Sequence, residues 1–190
     1  MRIRTTSLAV LGAALALSAC VSAKVDSKFV RPYNRSLDST LVVIRSEEPG
    51  GPFDAALSSA LVAMLEEHGV TASATSVSAD TPSSTVADGT RAGASTVLVV
   101  RLGDSEETVA APGYNNPATG PGFGGPSGMG TNSRTQFSVA LTDVDGGQVV
   151  WTARVVAKGA NSAPEADARK AAQELVSTLV TDGLLSGADG

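Results

Sequence analysis

The chain has 190 residues, with 14 Lys and Arg set against 19 Asp and Glu, for a formal net charge of −5. This acidic balance argues against a nucleic-acid partner and against a polybasic membrane face, and the length suits one domain. One cysteine gives neither an internal disulfide nor a thiolate metal site, and 4% aromatics point to a core of alanine, valine and leucine.

The N-terminus has the order of an export signal: Arg2 and Arg4, an apolar run from Leu8 to Leu17, then small residues up to Cys20. Past Cys20 the chain turns polar, with Ser22, Lys24, Asp26 and Lys28. The alternative is a buried or membrane-spanning helix with an incidental cysteine. The apolar run is shorter than the ~20 residues that cross a hydrocarbon layer. Leu17-Ser18-Ala19-Cys20 resembles the lipobox of bacterial lipoproteins. The resemblance implies cleavage before Cys20, a diacylglycerol on its thiol and an acyl group on its new amino terminus. Residues 1–19 would then be the signal peptide, and the lipid would be the one attached group, with no cofactor and no metal. Each acyl chain contributes about 0.8 kcal/mol per buried CH₂, so a triacylated cysteine anchors a protein without a span. In such lipoproteins an aspartate after the cysteine marks inner-membrane retention. Val21 stands there instead, which implies the outer membrane with the domain facing the periplasm. Loss of Arg2 and Arg4 with the signal takes the charge from −5 to −7.

Residues 20–39 show no apolar periodicity and are expected to be a lipidated tether, with at most a short extended piece near Phe29-Val30. The single domain is expected to span 40–190. Leu41-Val42-Val43-Ile44 reads as a strand buried on both faces. After the breaker Glu47–Pro52, Phe53, Leu57, Ala60, Leu61, Met64 and Leu65 recur at helical spacing. Pro52 suits the first turn and Gly69 suits the stop. Val70–Val77 alternates as a moderately buried or edge strand. Ala79–Ala94, with Pro82, Gly89 and Gly93, allows a short helix near Ser83–Ala92. Thr96–Val100 reads as a central strand that Arg101–Val109 extends toward solvent.

Residues 112–130 form a glycine- and proline-rich stretch that buries too little to fold alone, and they are expected to be a flexible loop between strands. Tyr114, Phe123 and Met129 are its candidate partner-contact residues; the alternative is a spacer with no specific partner. Phe137, Val139 and Leu141 then alternate with polar residues. Asp143–Gly147 supplies turn chemistry, and Val149, Trp151, Ala153 and Val155 share one side, so a β-hairpin is expected. Ser162 and Glu165 have capping-box spacing ahead of a helix striped by Ala168, Ala171, Ala172, Leu175, Val176, Leu179 and Val180. The expected fold is α+β in two layers: a mixed sheet of about five strands covered by two main amphipathic helices. A dinucleotide-binding fold is excluded, since no glycine-rich phosphate turn follows the first strand.

Several motifs together resemble proteobacterial envelope lipoproteins of unknown function. They are the helix end Leu65–Val70, the Ala-Gly-Ala segment leading into the strand at Ala92–Leu102, and Leu141-Thr142-Asp143 followed by Gly146–Trp151. The same features are similar to the periplasmic domains of the curli secretion lipoprotein, the penicillin-binding-protein activator and the amino-terminal domain of the Tol-Pal periplasmic protein. The departures are a loop unable to form a membrane-inserting hairpin and a linker far shorter than the activator's arm. The resemblance implies a fold and a compartment, and leaves the task open.

Catalytic motifs are absent: no Gly-x-Ser-x-Gly, Ser-x-x-Lys or His-Glu-x-x-His occurs. His68, the only histidine, sits at a helix end, where structural reasons suffice. Asp143 and Asp145 flank a turn, which their side chains stabilise better than they would serve as an acid–base pair. Trp151 is expected in the core. The expected function is therefore non-enzymatic: a lipid-anchored protein acting through an envelope protein partner, of unspecified oligomeric state. The alternative is an accessory domain binding a glycan, lipid or other small ligand.

Overall fold

The computed structural model describes residues 22–82, 84–109, 131–160 and 164–185. Cys20, the 112–130 stretch and the Ser162 cap lie outside them.

Six strands form one sheet in the order β1-β6-β5-β4-β2-β3. In chain order they are β1 (Ser22–Phe29), β2 (Ser39–Ser46), β3 (Thr71–Ser78), β4 (Thr96–Val109), β5 (Thr131–Asp143) and β6 (Gln148–Ala160). Helix α1 (Pro52–Glu67) joins β2 to β3, α2 (Thr85–Ala92) joins β3 to β4, and α3 (Pro164–Thr181) follows β6. The β2, β3 and β4 strands run parallel, and the pairs β4–β5, β5–β6 and β6–β1 are antiparallel. The sheet is therefore mixed and the fold α+β.

The parallel segment follows from its sequence. Leu41–Ile44 and Val97–Val100 are apolar at every position because both faces are covered. Val42, Ile44, Leu98 and Val100 point to the main core, and Leu41, Val43, Val97 and Val99 form a smaller one on the opposite face. Where only one face is covered, the pattern alternates: Phe137, Val139, Leu141, Trp151, Ala153 and Val155 enter the main core. Helices α1 and α3 pack on each other and on that face through Leu57, Leu61, Leu65, Ala168, Ala172, Leu175 and Leu179, all 0% exposed. Each such leucine contributes about 1.5–3 kcal/mol by burial. The alanines of α3 let it approach the sheet closely.

The ends of α1 and α3 share one device. Gly69 and Gly183 take φ of 79° and 76°, conformations costly for any side chain. Each positions the next N–H to close the helix, Val70 N to Leu65 O at 3.0 Å and Leu184 N to Leu179 O at 2.9 Å.

One expectation is corrected. Residues 20–39 are not all tether: Ser22–Phe29 forms β1, paired along its length with β6, and Leu37 is buried in the core. Only Ala23 and Val25 lend apolar character to its inward side, too little to mark a strand by pattern. The sheet consequently has six strands, with β1 the addition. Helix α2 exists at Thr85–Ala92 and lies on the face opposite α1 and α3, over β2 and β4. It is short, so among the described residues part of that second face has no helix over it.

Candidate functional site

Three features of the sheet are exposed: its β1 edge, its β3 edge, and the part of its second face that α2 leaves open. The cross-strand register builds the open face. One row runs Asp26, Arg154, Ser138, Arg101 and Arg45 across β1, β6, β5, β4 and β2; the next runs Lys28, Thr152, Ala140, Val99 and Val43. A concavity of about 540 Å³ lies over these rows, lined by Lys28, Arg101, Arg154, Asp26, Ser138 and Thr152 among others. Lys28, Arg101 and Arg154 are exposed, whereas Arg45 is 8% exposed and donates from Nη1 to Thr81 O at 3.3 Å. With its amide oriented to satisfy both partners, Gln136 accepts from Arg154 Nε at 3.1 Å and also from Nη2. That steadies the guanidinium against the sheet and leaves its remaining N–H groups available.

The two edges differ in character. The β3 edge, TASATSVS, carries neither a charge nor a proline, and Thr71, Ser73, Ala74 and Thr75 are exposed. It lies in the segment 46–90, between Arg45 and Arg91, which holds seven Asp and Glu and no Lys or Arg. The β1 edge carries Lys24, Asp26 and Lys28, and Phe29 at its end and Val30 just beyond are 42% and 50% exposed. An edge without charge, proline or bulge lacks the usual protection against pairing with another strand.

The edge strand β1 is held to the body from an unexpected quarter. Ser27 Oγ donates to Asp182 Oδ2 at 2.8 Å, and Trp151 Nε1 donates to the same oxygen at 2.7 Å. Trp151 fills the core as expected, at 0% exposure, and Asp182 caps its polar end. The parallel strands are pinned by hydroxyls, with Thr40 Oγ1 and Thr96 Oγ1 2.8 Å apart. Ser46 Oγ donates at 2.5 Å to the buried Asp54 in the first turn of α1, where a carboxylate also meets the positive end of the dipole.

The residues weighed for chemistry fall into structural places. Asp143 Oδ2 accepts from Gly146 N at 2.8 Å, and Arg35 Nη1 approaches Asp143 at 3.8 Å and Asp145 at 3.6 Å. His68 forms the C-terminal cap of α1 and is half-buried. Burial raises the Tyr33 hydroxyl pKa above 10.0, with Asp143 adding to the shift and Arg35 opposing it. Among the described residues no three His, Cys, Asp or Glu gather as metal ligands. No described helix is long and apolar enough to cross a membrane. Tyr114, Phe123, Met129 and Cys20 lie outside the described residues. The open face went unread in the sequence, because Lys28, Arg101 and Arg154 meet only through strand register.

No protein-family model matches the chain, and no curated protein sequence does. Solved structures do. The PelC dodecamer from Paraburkholderia phytofirmans superposes with a TM-score of 0.54 at 16% identity, over 82% of this chain and 96% of PelC. A leucine-to-methionine variant of that dodecamer, from the same organism, gives 0.53 at 17% identity, over 82% and 96%. Lipoprotein GNA1162 from Neisseria meningitidis gives 0.46 at 14% identity, over 77% and 95%. At this identity, the likeness to PelC establishes a shared fold.

Proposed function

We propose that this protein is a non-enzymatic lipoprotein, anchored in the bacterial outer membrane through lipid on Cys20, that acts by protein contacts in envelope assembly or maintenance. Its first partner on this reading is a second copy of itself. The observation that carries the reading is the unlike character of the two sheet edges. The β3 edge is uncharged and sits in an acidic segment, whereas the β1 edge carries two lysines and one aspartate. Unlike ends on one molecule favour head-to-tail contact, which closes into a ring when the rotation allows. The strand directions agree. Since β1 runs opposite to β3, a neighbour's β1 laid beside β3 in the same orientation makes the antiparallel pair. Both strands have eight residues. That a protein of the same fold was solved as a dodecamer supports this reading.

The test is the mass of the intact chain, purified in nonionic detergent, measured by sedimentation at low and high salt. The expected result is an assembly of several copies that loosens toward 1 M salt, where the Debye length falls to about 3 Å. A monomer at every concentration and salt would contradict the reading. The concave open face separately favours an accessory domain that binds a ligand.

A further inference from the structure

We propose that the uncovered face of the sheet binds a soluble ligand carrying several phosphate or carboxylate groups, held by Arg101, Arg154 and Lys28. This goes beyond assembly, and it stands whether or not the copies associate.

The charge of the face runs against that of the whole chain. The protein carries −5 overall, yet the charged residues lining the 540 Å³ concavity are three cations and one acid. None of Lys28, Arg101 and Arg154 takes part in an ion pair among the described residues. Elsewhere cations do find carboxylates: the exposed Arg91 reaches Asp88 at 3.3 Å and the half-buried Lys170 reaches Glu174 at 2.8 Å. Asp26 stands directly across from Arg154, so the excess positive charge is greatest toward Arg101.

The spacing selects the ligand class. Neighbouring strands lie about 4.8 Å apart, so Arg101 on β4 and Arg154 on β6, with β5 between, are rooted about 10 Å apart. That separation fits successive charged groups along a multivalent ligand better than one small anion. Ser138 between them and Thr152 in the next row offer hydroxyl donors, and the floor is the small side chains of Ala140 and Val99. Guanidinium forks match phosphate and carboxylate oxygens two at a time, and the bonds Arg154 donates to Gln136 limit how far it must be ordered on binding.

The experiment is calorimetric titration of the full chain, in nonionic detergent and about 0.15 M salt, with inorganic tripolyphosphate and separately with trigalacturonate. Saturable binding of either probe is expected, and the tighter one names the chemistry. Arg101→Gln and Arg154→Gln should each weaken it about tenfold, the scale of one charge-assisted hydrogen-bonding group. Arg169→Gln, which removes the same charge from α3 in the other layer, should leave affinity unchanged. Absence of saturable binding to both probes would overturn the proposal. So would an equal loss in Arg169→Gln, since attraction would then follow net charge and not this face.

Discussion

The Asp182 carboxylate lies 2.7 Å from the indole nitrogen of Trp151, a hydrogen bond that ties the end of α3 to β6 in the core. The same oxygen accepts from Ser27 of β1, so one side chain joins the last helix to two adjacent strands. Asp182→Ala would leave a buried indole N–H without an acceptor and remove the side-chain tie between β1 and the end of α3. The expected loss is about 2–3 kcal/mol in denaturant unfolding. Asp182→Asn, which keeps an acceptor, should lose less than half as much. Hydrogen exchange should rise first in Ser22–Phe29.

Gly89 tests how tightly α2 is seated. A Cβ there would come within 2.6 Å of both Val97 Cγ2 and Val144 Cγ2. Alanine in mid-helix gains about 1 kcal/mol over glycine, while overpacking a filled site costs about 1–3 kcal/mol. Both neighbours are β-branched and stiff, so crowding wins. Gly89→Ala should be net destabilising by about 1 kcal/mol, read from the denaturant midpoint at constant slope.

Tyr33 predicts a pH dependence in the alkaline range. Its folded pKa is raised above 10.0, chiefly by burial and then by Asp143, so near and above pH 10 the unfolded chain ionises first. The folded state then holds more protons than the unfolded state, and stability falls as pH rises through this window. Unfolding measured from pH 8 to 11 should show the decline in the wild type. In Tyr33→Phe the decline should be shallower.

How much of this was legible varies with how local the cause is. The paired-face strand Leu41–Ile44, the α1 stripe and the β5–β6 hairpin carry their periodicity in adjacent residues, and each appears where expected. The β1 strand escaped because its inward positions are Ala23, Val25 and Ser27, the last held by a hydrogen bond and not by burial of apolar area. Trp151 announced only that a buried indole needs an acceptor; that Asp182 supplies it depends on how α3 docks. The open face was equally hidden. Lys28, Arg101 and Arg154 are far apart in the chain, and only the register of three strand pairs sets them around one concavity. The placement of α2 on the second face, which leaves that concavity uncovered, is likewise a product of topology.

The most direct measurement is a disulfide ladder between the edges of neighbouring copies. Thr75 on β3 and Lys24 and Asp26 on β1 share the open-face side of the sheet, so an antiparallel pairing that preserves the faces and overlaps the two strands nearly end to end brings Thr75 opposite one or the other. Under mild oxidation, Thr75→Cys/Asp26→Cys or Thr75→Cys/Lys24→Cys is predicted to give a ladder of dimers, trimers and larger species. The three single-cysteine variants and the wild type should give none. Dimers from Thr75→Cys alone would show β3 meeting β3 and contradict the head-to-tail account. No crosslink in either double variant would contradict edge-to-edge assembly altogether.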